Sequence, residues 1–392
     1  MKPEIPKVMH VVLSLEAGGG AERLVYDLVR DKTFAPAPPV VCCLRELGQL
    51  GALLVQEGFR VYCRPKGAGV DWSLVRWLAQ VIRQEGVEVV HAHQYTPMFY
   101  SVPAALSAGR KRVIYTEHGR LYPDLPSWKR RLANPLLSRG IDQIVSISEG
   151  TKEAMVAVDN FAAKRIAVVH NGVIFANPGP GFDAEAKRRS LGIHPSQRVI
   201  GTAARLEEIK NLPMMLRALR AVLETMPDTC LLIAGRGSQE AALKQYAREL
   251  GVANNVNFLG LRDDLPEIYP LFDLFLLTSF SEGISVTLLE AMSHGIPAIA
   301  SDVGGNGEVV RERETGMLVE IDDDQALAAR IIELLEDPER AHSMGEKARQ
   351  RVNDSFSFPQ MVRDYLQLYL GGGNAGGIAS FATADDLYKD QR

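Results

Sequence analysis

Glu282 and Glu290 stand eight positions apart in Ser279-Phe-Ser-Glu282-Gly-Ile-Ser-Val-Thr-Leu-Leu-Glu290-Ala-Met-Ser-His-Gly295. An apolar run ahead of them reads as a strand, which puts Glu282 at the strand's carboxyl end. A helix is expected to begin near Ser285 and to be capped by Gly295. Carboxylates accept hydrogen bonds from vicinal hydroxyls. Eight residues at helical rise reach up to ~12 Å, about the distance from a hexose ring across a diphosphate to a ribose. The free N–H groups of Gly283, Ile284, Ser285 and Val286 at such a helix start suit an anionic phosphate. Arg205 and Lys210 lie in Ala204-Arg205-Leu-Glu-Glu-Ile-Lys210-Asn211, just ahead of a helix expected from Asn211. Two fixed cations at a helix start also suit phosphate.

Three further segments carry candidate groups. Gly18-Gly19-Gly20 lets a phosphate or sugar hydroxyl sit against the main chain, or simply makes a tight strand-to-helix turn. It is not a dinucleotide fingerprint, because Arg23 stands where G-x-G-x-x-G needs its third glycine. Tyr115-Thr-Glu117-His118-Gly119 ends another strand, with Glu117 placed to tune His118. His91-Ala-His93 ends a third. Two histidines without a third ligand make a poor metal site, so a structural or cleft-lining role is expected there. Asp322-Asp323-Asp324 contains a D-x-D string, but it precedes a helical run and reads as capping. No metal is expected.

Strands that carry these groups are expected over 8–15, 40–44, 87–92, 113–116 and 141–147. Periodicity fails across 171–194, where Pro and Gly punctuate. Strands resume over 199–204, 230–234, 256–259, 274–277 and 298–300. Near-continuous apolar strands alternating with helices indicate parallel sheets covered on both faces, an α/β class. The expected division is a first Rossmann-like domain over 1–175, a linker over 176–194 and a second Rossmann-like domain over 195–355. A helix over 356–370 is expected to pack back toward the first domain, and a Gly-rich flexible tail fills 371–392.

The E-x7-E arrangement, with Gly283, the small-residue helix Ala-Met-Ser-His-Gly and the following Ile-Pro-Ala-Ile-Ala-Ser-Asp-Val-Gly-Gly-Asn-Gly-Glu-Val-Val, resembles the retaining glycosyltransferases of family 4. The resemblance covers most of the chain and implies a GT-B fold, two doubly wound domains facing a cleft. It implies acceptor binding by the first domain and donor binding by the second. Glu290 then takes the ribose, Arg205 and Lys210 the leaving diphosphate, and Glu282 with the amides of Gly283 to Ser285 the hexose. His118 matches the active-site histidine facing the donor sugar. Gly235-Arg236-Gly237 resembles the glycine turn below the nucleotide, and Leu261-Arg262 the segment that holds the base. For Arg262, stacking on the base and simple exposure both stay open. Ser146-Ile-Ser148-Glu-Gly and Asn171-Gly172-Val173 match segments near the donor cleft and the crossover. Ile284-Ser285 departs from the more frequent Phe-Gly, so sugar identity does not carry over.

The implied activity is transfer of a hexose from a UDP-sugar to a saccharide or lipid-linked acceptor, with retention, no cofactor and no metal. A sugar-nucleotide epimerase of the same architecture and a non-catalytic nucleotide-sugar binder are the alternatives. The first would convert donor without acceptor, and the second would bind without turnover. A net charge of -4 gives no global pull toward nucleic acid. No run approaches the ~18 apolar residues of a membrane span, so a cytoplasmic protein is expected. Trp128-Lys-Arg-Arg131 with Leu132, Leu136 and Leu137 either rests on an anionic bilayer or is a solvated helix. Cys42, Cys43, Cys63 and Cys230 show no metal or disulfide spacing and are expected to be buried, reduced thiols.

Overall fold

The computed structural model describes residues 4–119, 124 and 126–372; the tail from 373 onward lies outside them. Two compact units divide the chain: Met1–Asn171 with the segment from Pro359, and Gly172–Phe358. Among the described residues the first unit holds β1 (Val8–Val12), β2 (Val40–Cys43), β3 (Arg60–Cys63), β4 (Val89–His93), β5 (Arg112–Glu117), β6 (Gln143–Ser146) and β7 (Ile166–Val168). They form one sheet in the order β3-β2-β1-β4-β5-β6-β7, with every pairing parallel.

The second unit holds β8 (Arg198–Ala203), β9 (Thr229–Ala234), β10 (Val256–Gly260), β11 (Leu274–Leu277), β12 (Ala298–Ser301) and β13 (Gly316–Val319). Their order is β10-β9-β8-β11-β12-β13, again all parallel. Parallel strands need helical crossovers on both faces, which is why β1, β2, β4 and β9 are buried along their length and mostly apolar, with His10 in β1 and His91 and His93 in β4 among the exceptions. Each unit has its own core: Met9, Val90, Leu78 and Tyr115 belong to the first, and Ile200, Leu216, Ile233 and Ile331 to the second.

Three strands escape a pattern-based reading: β3, β7 and β13. All three are sheet edges. An edge strand has one neighbour and sheds the continuous apolar run that marks a central one; in β3, Arg60 and Cys63 are exposed. Cys63 therefore departs from the expectation of four buried thiols, while Cys42, Cys43 and Cys230 meet it. The aperiodic stretch after 171 also holds a short helix, Ala184–Ser190, started by Asp183, whose carboxylate accepts the Ala186 N–H at 3.0 Å. Seven residues are too few for helical periodicity to show.

The chain enters and leaves the second unit side by side. Val173 N–H donates to Phe356 O at 2.9 Å and Phe358 N–H to Val173 O at 3.1 Å. Gly172 is required there, since a Cβ would strike the backbone of Ser357 and Phe358. Past this point the helix Phe358–Leu370 returns to the first unit. It buries Tyr365 and Tyr369, whose hydroxyls meet Thr116 Oγ1 at 3.3 Å and His91 Nδ1 at 2.8 Å.

Candidate active site

In a doubly wound sheet the loops at the carboxyl ends of the strands open a crevice where the strand order reverses. In the second unit that point lies between β8 and β11, and the loops after these two strands carry Arg205, Lys210 and Glu282. Lys210 Nζ donates to Glu282 Oε1 at 2.6 Å, with both side chains largely shielded from solvent. Ser279 Oγ donates to the same carboxylate oxygen at 2.6 Å. The loops are tied together by backbone as well. Phe280 N–H donates to Ile209 O at 2.8 Å, and Thr278 Oγ1 to Asn211 O at 2.9 Å. Arg205 is exposed beside them.

Glycines let neighbouring loops close on this pair. Gly235, at φ +139°, leaves no room for a Cβ against Ala204 O, and Gly237 none against Leu206 O. Thus the turn after β9 supports the Arg205 loop from below. Glu207 strengthens that support by accepting from Ser238 N–H at 3.0 Å and Ser238 Oγ at 2.7 Å. These bonds, from the Ser238 hydroxyl first, hold its carboxyl below the usual range. Gly304, at φ +52°, sits equally close to Glu282 O.

The helix after Glu282 runs Val286–Ser293, with Ser285 as its N-cap and Gly295 in the left-handed region just beyond its end. Ser285 Oγ accepts the Leu288 N–H at 3.4 Å, so its hydroxyl oxygen serves the cap. Gly283 and Ile284 are buried, Val286 half-buried. Glu290 Oε2 accepts from Tyr269 OH at 2.7 Å. Burial, then the Glu290 carboxylate, pushes the Tyr269 phenol far above its ordinary value, which keeps it a donor. Neither Tyr269 nor Ser279 was given a role by the sequence; Tyr269 stands 21 residues before Glu290, where no local pattern links the two, whereas Ser279 lies only three residues before Glu282, within the same motif.

Other candidates sit apart from this pair. Arg262 forms a fork with Asp264, through Nε at 2.7 Å and Nη2 at 2.5 Å, and Leu261 is exposed. Asp264 also accepts from Lys187 Nζ at 2.5 Å. Asp323 caps the helix Asp324–Glu336. Asp322 accepts from Asn211 Nδ2 and Arg217 Nη2, and Asp324 from Arg217 Nε. The D-x-D carboxylates are thereby engaged by protein donors.

In the first unit the order reverses between β1 and β4. Gly18 (φ +94°) and Gly19 follow β1, and Gly20 opens the helix Gly20–Arg30, whose N-cap has no side-chain partner. His93 ends β4 and His118 follows β5. The structure brings His10 to them: His10 Nδ1 lies 3.0 Å from His93 Nε2, and His93 Nδ1 lies 2.8 Å from His118 Nε2. Burial lowers all three imidazoles, His10 to about 3, His118 to about 4 and His93 well below its ordinary value. His10, His91 and His93 do place ligating atoms within 4.8 Å of one another, so the absence of a third ligand expected from the sequence is corrected. Both His91 nitrogens, however, are engaged, by Tyr369 OH and Thr116 Oγ1 at 2.8 Å each. Glu117 accepts from Tyr115 OH at 2.7 Å. Ser148 caps the helix Glu149–Asp159.

Two tandem doubly wound sheets, each with its charged or polar groups where the strand order reverses, are the architecture of GT-B glycosyltransferases. Residues 18–176 match the family model described as Glycosyltransferase Family 4, and residues 183–351 that described as Glycosyl transferases group 1. The chain is 28% identical over 311 residues to the N-acetyl-alpha-D-glucosaminyl L-malate synthase of Bacillus anthracis, covering 76% of this chain and 78% of the relative. It is 29% identical over 357 residues to a GDP-mannose-dependent alpha-(1-6)-phosphatidylinositol monomannoside mannosyltransferase of Mycolicibacterium smegmatis, covering 86% and 90%. In fold it resembles Anabaena Alr3699/HepE in complex with UDP-glucose, with a TM-score of 0.83, 24% identity and coverage of 94% and 100%. The protein is a glycosyltransferase, built of a family 4 domain followed by a group 1 domain. Of the three activities left open by the sequence, transfer is the one that both family models and the mycolicibacterial relative name.

Proposed function

We propose that this glycosyltransferase moves a hexose from a UDP-sugar to a saccharide or lipid-linked acceptor, with retention and without a resident metal or cofactor, in glycan biosynthesis. The observation that carries the reading is the Lys210–Glu282 pair at the strand-order reversal of the second unit. Departure of the nucleotide concentrates negative charge on the diphosphate. Lys210 and Arg205 are the cations at hand to meet it, and fixed cations act in the transition state without the reorganisation water would need. Lys210 is held by Glu282 until a phosphate competes for it, which leaves that carboxylate free to accept sugar hydroxyls. Glu290, braced by Tyr269, takes the ribose hydroxyls. The capped start of the helix Val286–Ser293 offers amides to the phosphate. The family resemblance assigns a contact with the transferred sugar to His118.

The Anabaena structure holds UDP-glucose, which favours uridine, whereas the mycolicibacterial relative is named for GDP-mannose. A panel of UDP-, GDP- and ADP-sugars, assayed with EDTA and with the product anomer read by NMR, tests donor, metal and retention together. The expected result is turnover of a UDP-hexose in EDTA with the anomeric configuration kept. A strict manganese requirement or an inverted product overturns the corresponding part.

Membrane contact belongs to the same proposal. Trp128, Leu132 and Leu136 recur every four residues on the helix Trp128–Leu137, and each is about 70% exposed. Lys129 flanks this stripe, while Arg130 lies over the Tyr95 ring at 4.4 Å and Arg131 donates to Ala157 O. Leu137, expected on the same face, packs instead against the core. Among the described residues no helix is long and apolar enough to cross a membrane.

A further inference from the structure

The imidazoles of His10, His93 and His118 form one hydrogen-bonded chain whose two outer nitrogens, His10 Nε2 and His118 Nδ1, have no partner among the described residues. The His10 and His93 rings stack at 5.3 Å, and those of His93 and His118 at 5.1 Å. His91 lies outside the chain, because its nitrogens are taken by two hydroxyls. Its ring centroid is 4.0 Å from that of His93, so a charge on either is opposed by the other. Burial keeps the chain neutral at ordinary pH.

Neutrality restricts the protons severely. Each inner contact needs one proton, and each neutral imidazole owns one. Only two arrangements satisfy both conditions. In one, His10 Nδ1–H donates to His93 Nε2, His93 Nδ1–H donates to His118 Nε2, and His118 keeps a free Nδ1–H. In the other every proton sits on Nε2, leaving a free N–H on His10 and a lone pair on His118 Nδ1. An orphaned buried N–H is rarer and costlier than an orphaned acceptor. His10 is 0% exposed, whereas His118 is only partly buried. Both outer nitrogens are buried, so the first arrangement moves the free N–H from the fully sealed His10 ring to the partly exposed His118 ring, the one of the two that a ligand oxygen can approach.

We infer that His10 and His93 are positioning residues that hold His118 as its Nδ1–H tautomer, so that His118 offers a hydrogen-bond donor to an oxygen of the transferred sugar. This rests on the proposed sugar-facing role of His118 and deepens it: His118 acts as a donor and not as a base. Because the protons can shift only in concert across three rings, a change at His10 is felt at His118 without contact between them.

Ring-¹⁵N histidine labelling of the full chain reads the tautomers directly. The wild-type protein is expected to show Nδ1–H on His10, His93 and His118 at neutral pH. In His10→Leu, His118 is expected to populate Nε2–H, with kcat falling at least about tenfold and donor KM staying within about twofold. His10→Gln, whose amide can donate to His93 Nε2, is expected to restore both signature and kcat. If His10→Leu does not fold, the wild-type spectrum still decides. An Nε2–H on wild-type His118 overturns the inference, as does saturation of His10, His91 and His93 by one equivalent of zinc chloride, which would make that cluster a metal site. Full transfer by His118→Ala would instead refute the sugar-facing role and leave the proton arrangement standing.

Discussion

Lys210 and Glu282 hold each other in a shielded ion pair, and Arg205 waits exposed beside them. If these cations meet the departing diphosphate, Lys210→Ala and Arg205→Ala each lower kcat by about 10²–10³. Steady-state assay with the best donor of the panel measures this, and near-normal turnover in either variant removes the leaving-group role. The histidines yield a prediction of a different kind. His10 and His118 are lowered from 6.5 to about 3 and about 4 in the folded protein, so between those values and 6.5 the unfolded chain binds more protons. Stability is then complete above pH 6.5 and is lost as pH falls, by about 2 kcal/mol for each of the two at pH 5. Urea midpoints at pH 7.5 and 5 check this; equal midpoints contradict it. At this scale the sequence supplied residue types well and partners poorly. Glu282, Lys210 and His118 stood out through their motifs, but His10 and Tyr269 act on residues that only folding brings near.

The loops that carry these groups depend on glycines in conformations that side chains resist. Gly235→Ala and Gly304→Ala each combine positive φ with a clash on a carbonyl of the Arg205 or Glu282 loop. Each is expected to cost about 1–3 kcal/mol and to raise donor KM, as denaturation and kinetics would show; an unchanged KM would mean the loops tolerate displacement. On the first unit, replacing Trp128, Leu132 and Leu136 with glutamate should abolish sedimentation with vesicles containing anionic phospholipid while transfer to a water-soluble acceptor persists. Binding that survives the change leaves the helix an ordinary solvated surface. At the sheet edge, Cys63 should be the one thiol of four to react with a disulfide reagent in the native protein, since the other three are buried. Element type was legible where strands are central, because burial on both faces writes an apolar run into the sequence. It was not legible at β3, β7 and β13, three of the four edge strands, where one side of the strand has no neighbour to demand it; the fourth edge, β10, kept enough of its pattern to be read.

Across the whole molecule, the chain completes its first unit last. Tyr365 and Tyr369 arrive from the C-terminal helix to fill space beside His91 and Thr116. Tyr369→Ala should destabilise the first unit by about 3–5 kcal/mol through lost packing. Hydrogen exchange should then quicken across β1, β4 and β5 and not across β8 to β12; quickening in the second sheet would contradict the assignment. The sequence sufficed for two doubly wound α/β units and for the carboxylates, cations and glycines that follow their strands, because helix and strand periods and short motifs are local properties of a chain. The folded arrangement alone chose the partners: Lys210 for Glu282, Tyr269 for Glu290, His10 for His93, and Asp264 rather than an open face for Arg262. Apart from Arg262 and Asp264, which are two positions apart, those choices join residues tens of positions apart through strand order, and strand order is settled by how hydrogen-bonded strands and buried faces fit together in space, which no stretch of sequence contains by itself.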